Sequence, residues 1–182
     1  LDQIAALNKV SVASLASSQI AALQTGQVKS LSTDQSEALT ASQVAAMSSG
    51  QIAALDIEDL LTFSTSDFAA ISLKGIAGLG TLAVQVFSTA QIGALSASAI
   101  GGLSKHTFVA LSNEQLGALS TAAISRLTTD QLRALPAARI GAFTSKQIAA
   151  LQAIQTAALG SAYLANLSTS GIAGLSTASI AS

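Results

Sequence analysis

The side chains best suited to chemistry are few and widely separated. His106 is the only histidine, Tyr163 the only tyrosine and Met47 the only methionine, and there is no cysteine. A metal centre needs three or four converging ligands, and acid–base work needs a second titratable group within reach of the first. His106 has neither a second His nor a Cys to join it, and Glu114 lies eight residues on. Asp56, Glu58 and Asp59 form the one acidic cluster, which could hold a weak cation but reads more simply as solvated acids at a helix start. Gly78-Leu79-Gly80 has no strand before it and no third glycine, so it is not a nucleotide loop. Serines and threonines are abundant, yet none sits in a G-x-S-x-G elbow. The expectation is a protein that is not an enzyme and has no metal and no cofactor.

The elements that would position any site follow from an eight-residue repeat. Large apolar residues recur from Leu7, Leu15 and Leu23 through Met47, Phe63, Ile71 and Phe143 to Leu175, 22 in succession without one insertion or deletion. Taking this residue as position one, position six is apolar as well, with Ser36 and Thr156 its only polar members. Position two is Ser or Thr in 14 of 22 octads, and position five is Gln in 11 of 23. Positions seven and eight are mostly Ala or Gly, giving L-S-T-x-Q-I-A-A. Ser or Thr at an N-cap with Gln three residues on is a capping box, and the flanking Leu and Ile make the matching hydrophobic staple. All acids but Glu37 lie at positions two to five, near the positive end of the helix dipole. Each octad therefore reads as about two turns of helix followed by a sharp change of direction.

One unbroken helix would turn about 800° per octad, so its apolar stripe would drift about 80° each time and wrap all round. A β-solenoid is the alternative, because an even repeat keeps strand alternation in phase. Ala and Gln are weak strand formers, however, and Gly or Asn punctuation is not periodic. The favoured fold is an all-α solenoid of short capped helices. Position seven suggests how many close one coil: Ala21, Ala45, Ala69, Gly93, Gly117, Gly141 and Ala165 are spaced by 24 and always tiny. Bulky residues gather in another class, at Glu37, Leu61, Gln85, Val109 and Arg133. Three helices per 24-residue coil and about 7.6 coils (182/24) follow, with small flanking residues letting stacked helices approach to roughly 8 Å. A coil of two octads is the other possibility. Residues 1–182 read as a single solenoid, cut mid-repeat at both ends.

Charge is sparse. A net charge of −1 and 9% charged residues exclude a nucleic-acid footprint, which needs a dense basic patch. Residues 75–104 and 147–182 carry no charge, yet the octad runs through both and no transmembrane segment is expected. Residues 1–91 hold seven acids and three bases, and 92–182 hold two acids and five bases, a polarity that favours head-to-tail self-association, with lateral pairing into a homo-oligomer or filament as the other arrangement. The outward position four turns apolar at Val10, Leu82 and Ile154, in the class that also holds Leu61 and Val109. These five residues are the candidate association face. A second use of the surface is a hydroxyl ladder at position three: Thr25, Thr33, Thr65, Thr81, Thr89, Thr121, Thr129, Thr169 and Thr177. Such a ladder would make the solenoid a binding module for carbohydrate, ice or haem.

Ser112-Asn113-Glu114-Gln115-Leu116-Gly117-Ala118-Leu119 and Ser48-Ser49-Gly50-Gln51-Ile52-Ala53-Ala54-Leu55 resemble the L-S-T-x-Q-I-A-A-L octapeptide arrays of very large bacterial secreted surface proteins, commonly labelled haem-utilisation or adhesion exoproteins. The resemblance covers the whole chain. It implies an extracellular or cell-surface location and a structural or adhesive role, as a self-assembling filament or a rigid stalk. The haem label has no residue to rest on, since His106, Tyr163 and Met47 do not form an axial pair.

Overall fold

The structure, a computed structural model, describes residues 2–167 and 169–175. Among these residues it is a stack of 21 α-helices and one 3-10 helix, with no strand. The helices are four to seven residues long, one per octad. None is long and apolar enough to cross a membrane.

Many of the helices begin as the repeat dictates, while those after Gly80, Pro136 and Gly160 start without a side-chain cap. At Ser32, Thr40, Ser48, Ser64, Ser88, Ser112, Thr128 and Thr144 the position-two hydroxyl accepts from the backbone N–H at position five, while the position-five side chain accepts from the N–H at position two. At Ala16 and Gln24 only the return half exists, from Gln19 and Gln27. Among the described residues every helix but Ala153–Leu159, which stops at Gly160, ends without the positive-φ glycine common at helix C-termini. Position one is extended, as at Leu119 (φ −62°, ψ 139°), and so is position two, as at Ser120 (φ −67°, ψ 153°). Two extended residues make the corner, which is why the sequence needs no periodic Gly. Among the described residues only Gly160 has a positive φ, of 72°.

Helices three octads apart pack side by side, so the coil is 24 residues and three columns rise along the chain. The first column runs Ser17–Ala22, Ala41–Ala46, Thr65–Ala70, Thr89–Ala94, Asn113–Ala118, the 3-10 helix Ala137–Ala142 and Ser161–Leu164. The second contains Thr25–Lys29, Ser49–Ile52, Leu73–Ile76, Ala97–Gly102, Thr121–Ile124, Ser145–Ala149 and Thr169–Gly174. The third contains Lys9–Ser14, Thr33–Glu37, Ile57–Leu61, Thr81–Val86, Lys105–Val109, Thr129–Ala134 and Ala153–Leu159.

Positions one and six fill the interior, with Ile20, Val44, Ile52, Phe68, Ile92, Leu116 and Ile148 at most 1% exposed. Ile172 departs from the pattern at 52% exposed. Ser36, at position six, is fully buried and its hydroxyl makes no hydrogen bond. Around Phe68 the core turns aromatic: its ring meets Phe87 edge-on at 4.8 Å and Phe63 at 6.5 Å.

Positions seven and eight are where the coils touch. A Cβ on Gly93 would stand 3.0 Å from the Ala118 carbonyl one coil up, and one on Gly78 would collide with the Ser49 carbonyl one coil down. In the third column Leu61 stands at position seven, which is Ala or Gly throughout the first column, and Val86 takes the facing position eight. Ile57–Leu61 and Thr81–Val86 accordingly approach less closely than Ser17–Ala22 and Ala41–Ala46.

Two outcomes follow. Leu at Ala94 or Ala118 overpacks this seam and lowers stability by about 1–3 kcal/mol, read by urea unfolding; unchanged midpoints in both would contradict the packing. Ser36→Val removes an orphan hydroxyl and raises stability by about 1–2 kcal/mol in the same measurement.

Candidate functional site

The polar side chain with the most consequence here is the position-five glutamine. It is expected at the surface as half of a capping box, yet Gln35, Gln43, Gln51, Gln115, Gln131, Gln147 and Gln155 are at most 3% exposed. The carboxamide uses both ends. Gln115 Oε1 accepts the Ser112 N–H at 2.7 Å, closing its own cap. Its Nε2 donates to the Val84 carbonyl at 2.8 Å and the Phe87 carbonyl at 2.7 Å, residues 31 and 28 positions back at the corner of the coil below. Gln43, Gln131 and Gln147 repeat the arrangement on Val12 and Leu15, Ile100 and Leu103, and Leu116 and Leu119. The carbonyls of Val12, Ile100 and Leu116 also accept the N–H of the position-one residue that ends their helix, so the glutamine adds a second donor there and serves the carbonyls of Leu15, Leu103 and Leu119 just past the helix end.

Other residues take the same post. Tyr163 Oη donates to the Leu135 carbonyl at 2.8 Å and Thr107 Oγ1 to that of Leu79 at 3.3 Å. Arg139 donates to the carbonyls of Val109 and Leu111 and to Asn113 Oδ1. Burial holds its guanidinium below the usual arginine range, partly offset by the Glu114 charge. The Ser112 hydroxyl donates to Glu114 at 2.7 Å and, with the backbone, lowers that carboxyl. Four successive octads have no donor at position five: Asp59, Asp67, Gly75 and Ala83. The aromatic core lies along this stretch.

The residues picked out for chemistry are largely absorbed by the architecture. His106 is exposed on Lys105–Val109, Met47 is 2% exposed in the core, and Tyr163 is a corner donor. Asp59 is buried and accepts the Asp56 N–H at 3.2 Å as a return cap, while Glu58 points to solvent. Gly78 is small because the Ser49 backbone runs against it. The threonines at position three divide among the columns: Thr65 and Thr89 in the first, Thr25, Thr121 and Thr169 in the second, Thr33, Thr81 and Thr129 in the third. Only Thr65 and Thr89 fall on successive coils, and Thr177 lies outside the described residues. A long hydroxyl ladder is not formed.

The candidate association face does fall on one column. Val10 (78% exposed), Leu82 (69%) and Ile154 (67%) project from the third column, with Leu61 (44%) beside them and Val109 half-buried. Val86 joins this surface through position eight, which is small in most octads. Lys9, beside Val10, lies 3.1 Å from Glu37 and 3.4 Å from Asp34, which raise its pKa in that order. On the second column, Leu73, Ala97, Ser98, Gly101 and Arg126 line a shallow groove.

The clamp has a direct test. Gln115→Met keeps the volume but strands two carbonyls and one N–H, and it lowers stability by about 2–4 kcal/mol. Gln19→Met, at an exposed residue making only its cap bond, costs less than about 1 kcal/mol. Equal losses in chemical unfolding would remove the corner clamp as the source of stability.

Among known families, the chain is similar to the ALTTAQ repeat, whose model matches residues 12–49 and again 20–57. The two matches are offset by eight residues, one octad, as a repeat array requires. No curated protein matches the chain, and no solved structure does.

Proposed function

We propose that this repeat array is a non-enzymatic structural element: a rigid stalk, or a self-assembling filament, of an adhesin-like protein at the bacterial cell surface or outside the cell. The observation that carries this reading is the corner clamp. Buried amides tie coil to coil along the columns, and Met47, Asp59 and Tyr163 serve as core, cap and clamp. What the repeat encodes is length and stiffness. Quasi-one-dimensional stacks gain span simply by adding repeats. The surface is clad in Ser, Thr and Ala with few charges, so lateral contact requires little desolvation of ions.

The extracellular setting draws on the likeness to octapeptide arrays of secreted surface proteins. Haem has no support in the side chains, because Met47 is buried and the Tyr163 hydroxyl is occupied. Recognition of carbohydrate or ice would need a regular hydroxyl array, which the scattered threonines do not provide.

Electron microscopy of the purified chain, with circular dichroism on the same sample, tests the proposal. Helix-rich filaments, or discrete rods rising about 8–10 Å per coil, are expected. Compact globular particles or a strand-type spectrum would overturn it.

A further inference from the structure

The third column is close to a palindrome. Leu82 stands at its centre, in position four. One coil to either side, position four is Glu58 and His106; two coils away it is Asp34 and Asp130; three coils away it is Val10 and Ile154. The neighbouring position-seven row repeats the symmetry, with Leu61 mirrored by Val109 and Glu37 by Arg133. All these residues are exposed except Val109, which is half-buried.

We propose that this column is a self-recognition face on which two copies of the chain pair antiparallel, about a two-fold axis through Leu82. A two-fold interface sets residue i on residue j and j on i. Here it sets Leu82 on Leu82, Leu61 on Val109 and Val10 on Ile154. It also sets Glu58 against Lys105-His106 of the second copy, and Glu37 against Arg133.

Parallel pairing keeps only Leu82 on Leu82, with Val10 on Val10 and Ile154 on Ile154, and sets Glu58 on Glu58 and Lys105 on Lys105, so charge selects the antiparallel register. Asp34 meets Asp130 as the one like pair, and Lys9 already lies 3.4 Å from Asp34. Leu82, Val86 and Leu61 supply the apolar centre, and the charged pairs supply the rim that specific interfaces have. The centre coincides with the octads lacking clamp donors, where the column opens and leaves these three side chains 69%, 52% and 44% exposed. The inference rests on the structural reading above only in taking association between copies to be the use of the surface.

The chain has no cysteine, so single cysteines report the register directly. With a short bifunctional maleimide, L82C is expected to cross-link to itself. E58C and H106C are expected to cross-link when mixed and neither alone. L82K, at an exposed site, is expected to leave the thermal midpoint unchanged at concentrations where both proteins are monomeric and to raise the dimer dissociation constant in sedimentation equilibrium at least about tenfold. Self-cross-linking of E58C overturns the antiparallel register. Sedimentation as a monomer, or a dimer indifferent to L82K, overturns the face. Rods or filaments that persist in L82K while its dimer is lost leave the structural function standing by itself, whereas globular particles in the unmodified chain overturn that function whatever the cross-links show.

Discussion

A helix of two turns has more loose ends than ladder. The first four N–H groups and last four carbonyls of any helix lack intrahelical partners, and helices of four to seven residues consist of little else. At Gln35, Gln43, Gln51, Gln91, Gln115, Gln131, Gln147 and Gln155 one side chain type meets both deficits at once. The glutamine oxygen takes up an N–H at the start of its own helix, and the glutamine nitrogen takes up carbonyls at a helix end one coil below. The carboxamide thereby turns a local cap into a bond between coils. Burying it is favourable because its hydrogen-bonding groups are used, where an unmatched amide would be costly.

The exceptions obey the same logic. Pro136 has no N–H to offer, so an acceptor three residues on would be idle; Arg139, which has donors only, stands there and binds the corner carbonyls. Asp59 and Asp67 accept but do not donate: their caps close at the Asp56 and Ser64 N–H groups while the coil below goes unclamped. In that stretch the interior recruits Phe63, Phe68 and Phe87, whose edge-on ring contacts add apolar burial where the amide bonds are missing.

The helical solenoid was legible because each of its determinants recurs with the octad: cap, staple, core residues and small flanks. The 24-residue coil was legible because the tiny residues of position seven recur at that interval, and Gly93 does lie against Ala118. The second role of glutamine was not read, because a capping box already accounts for Gln at that position and the carbonyls it also serves lie 28 and 31 residues away. A signal was present all the same. A capping box accepts Glu as readily as Gln, yet position five holds eleven Gln and no Glu, as expected where a donor is also needed. Val86 and its exposed neighbours depended on how far two particular helices separate, which repeat spacing does not encode.

The clamp also determines how the array meets tension. Because the clamp bonds join residues 28 to 31 apart, a pull along the chain would load one corner at a time, and a coil that lets go would free only itself. Each released coil of 24 residues pays out roughly 80 Å of extended chain in place of a rise of about 9 Å. By this geometry an array of clamped coils would lengthen one coil at a time while the remainder of the stack stays folded.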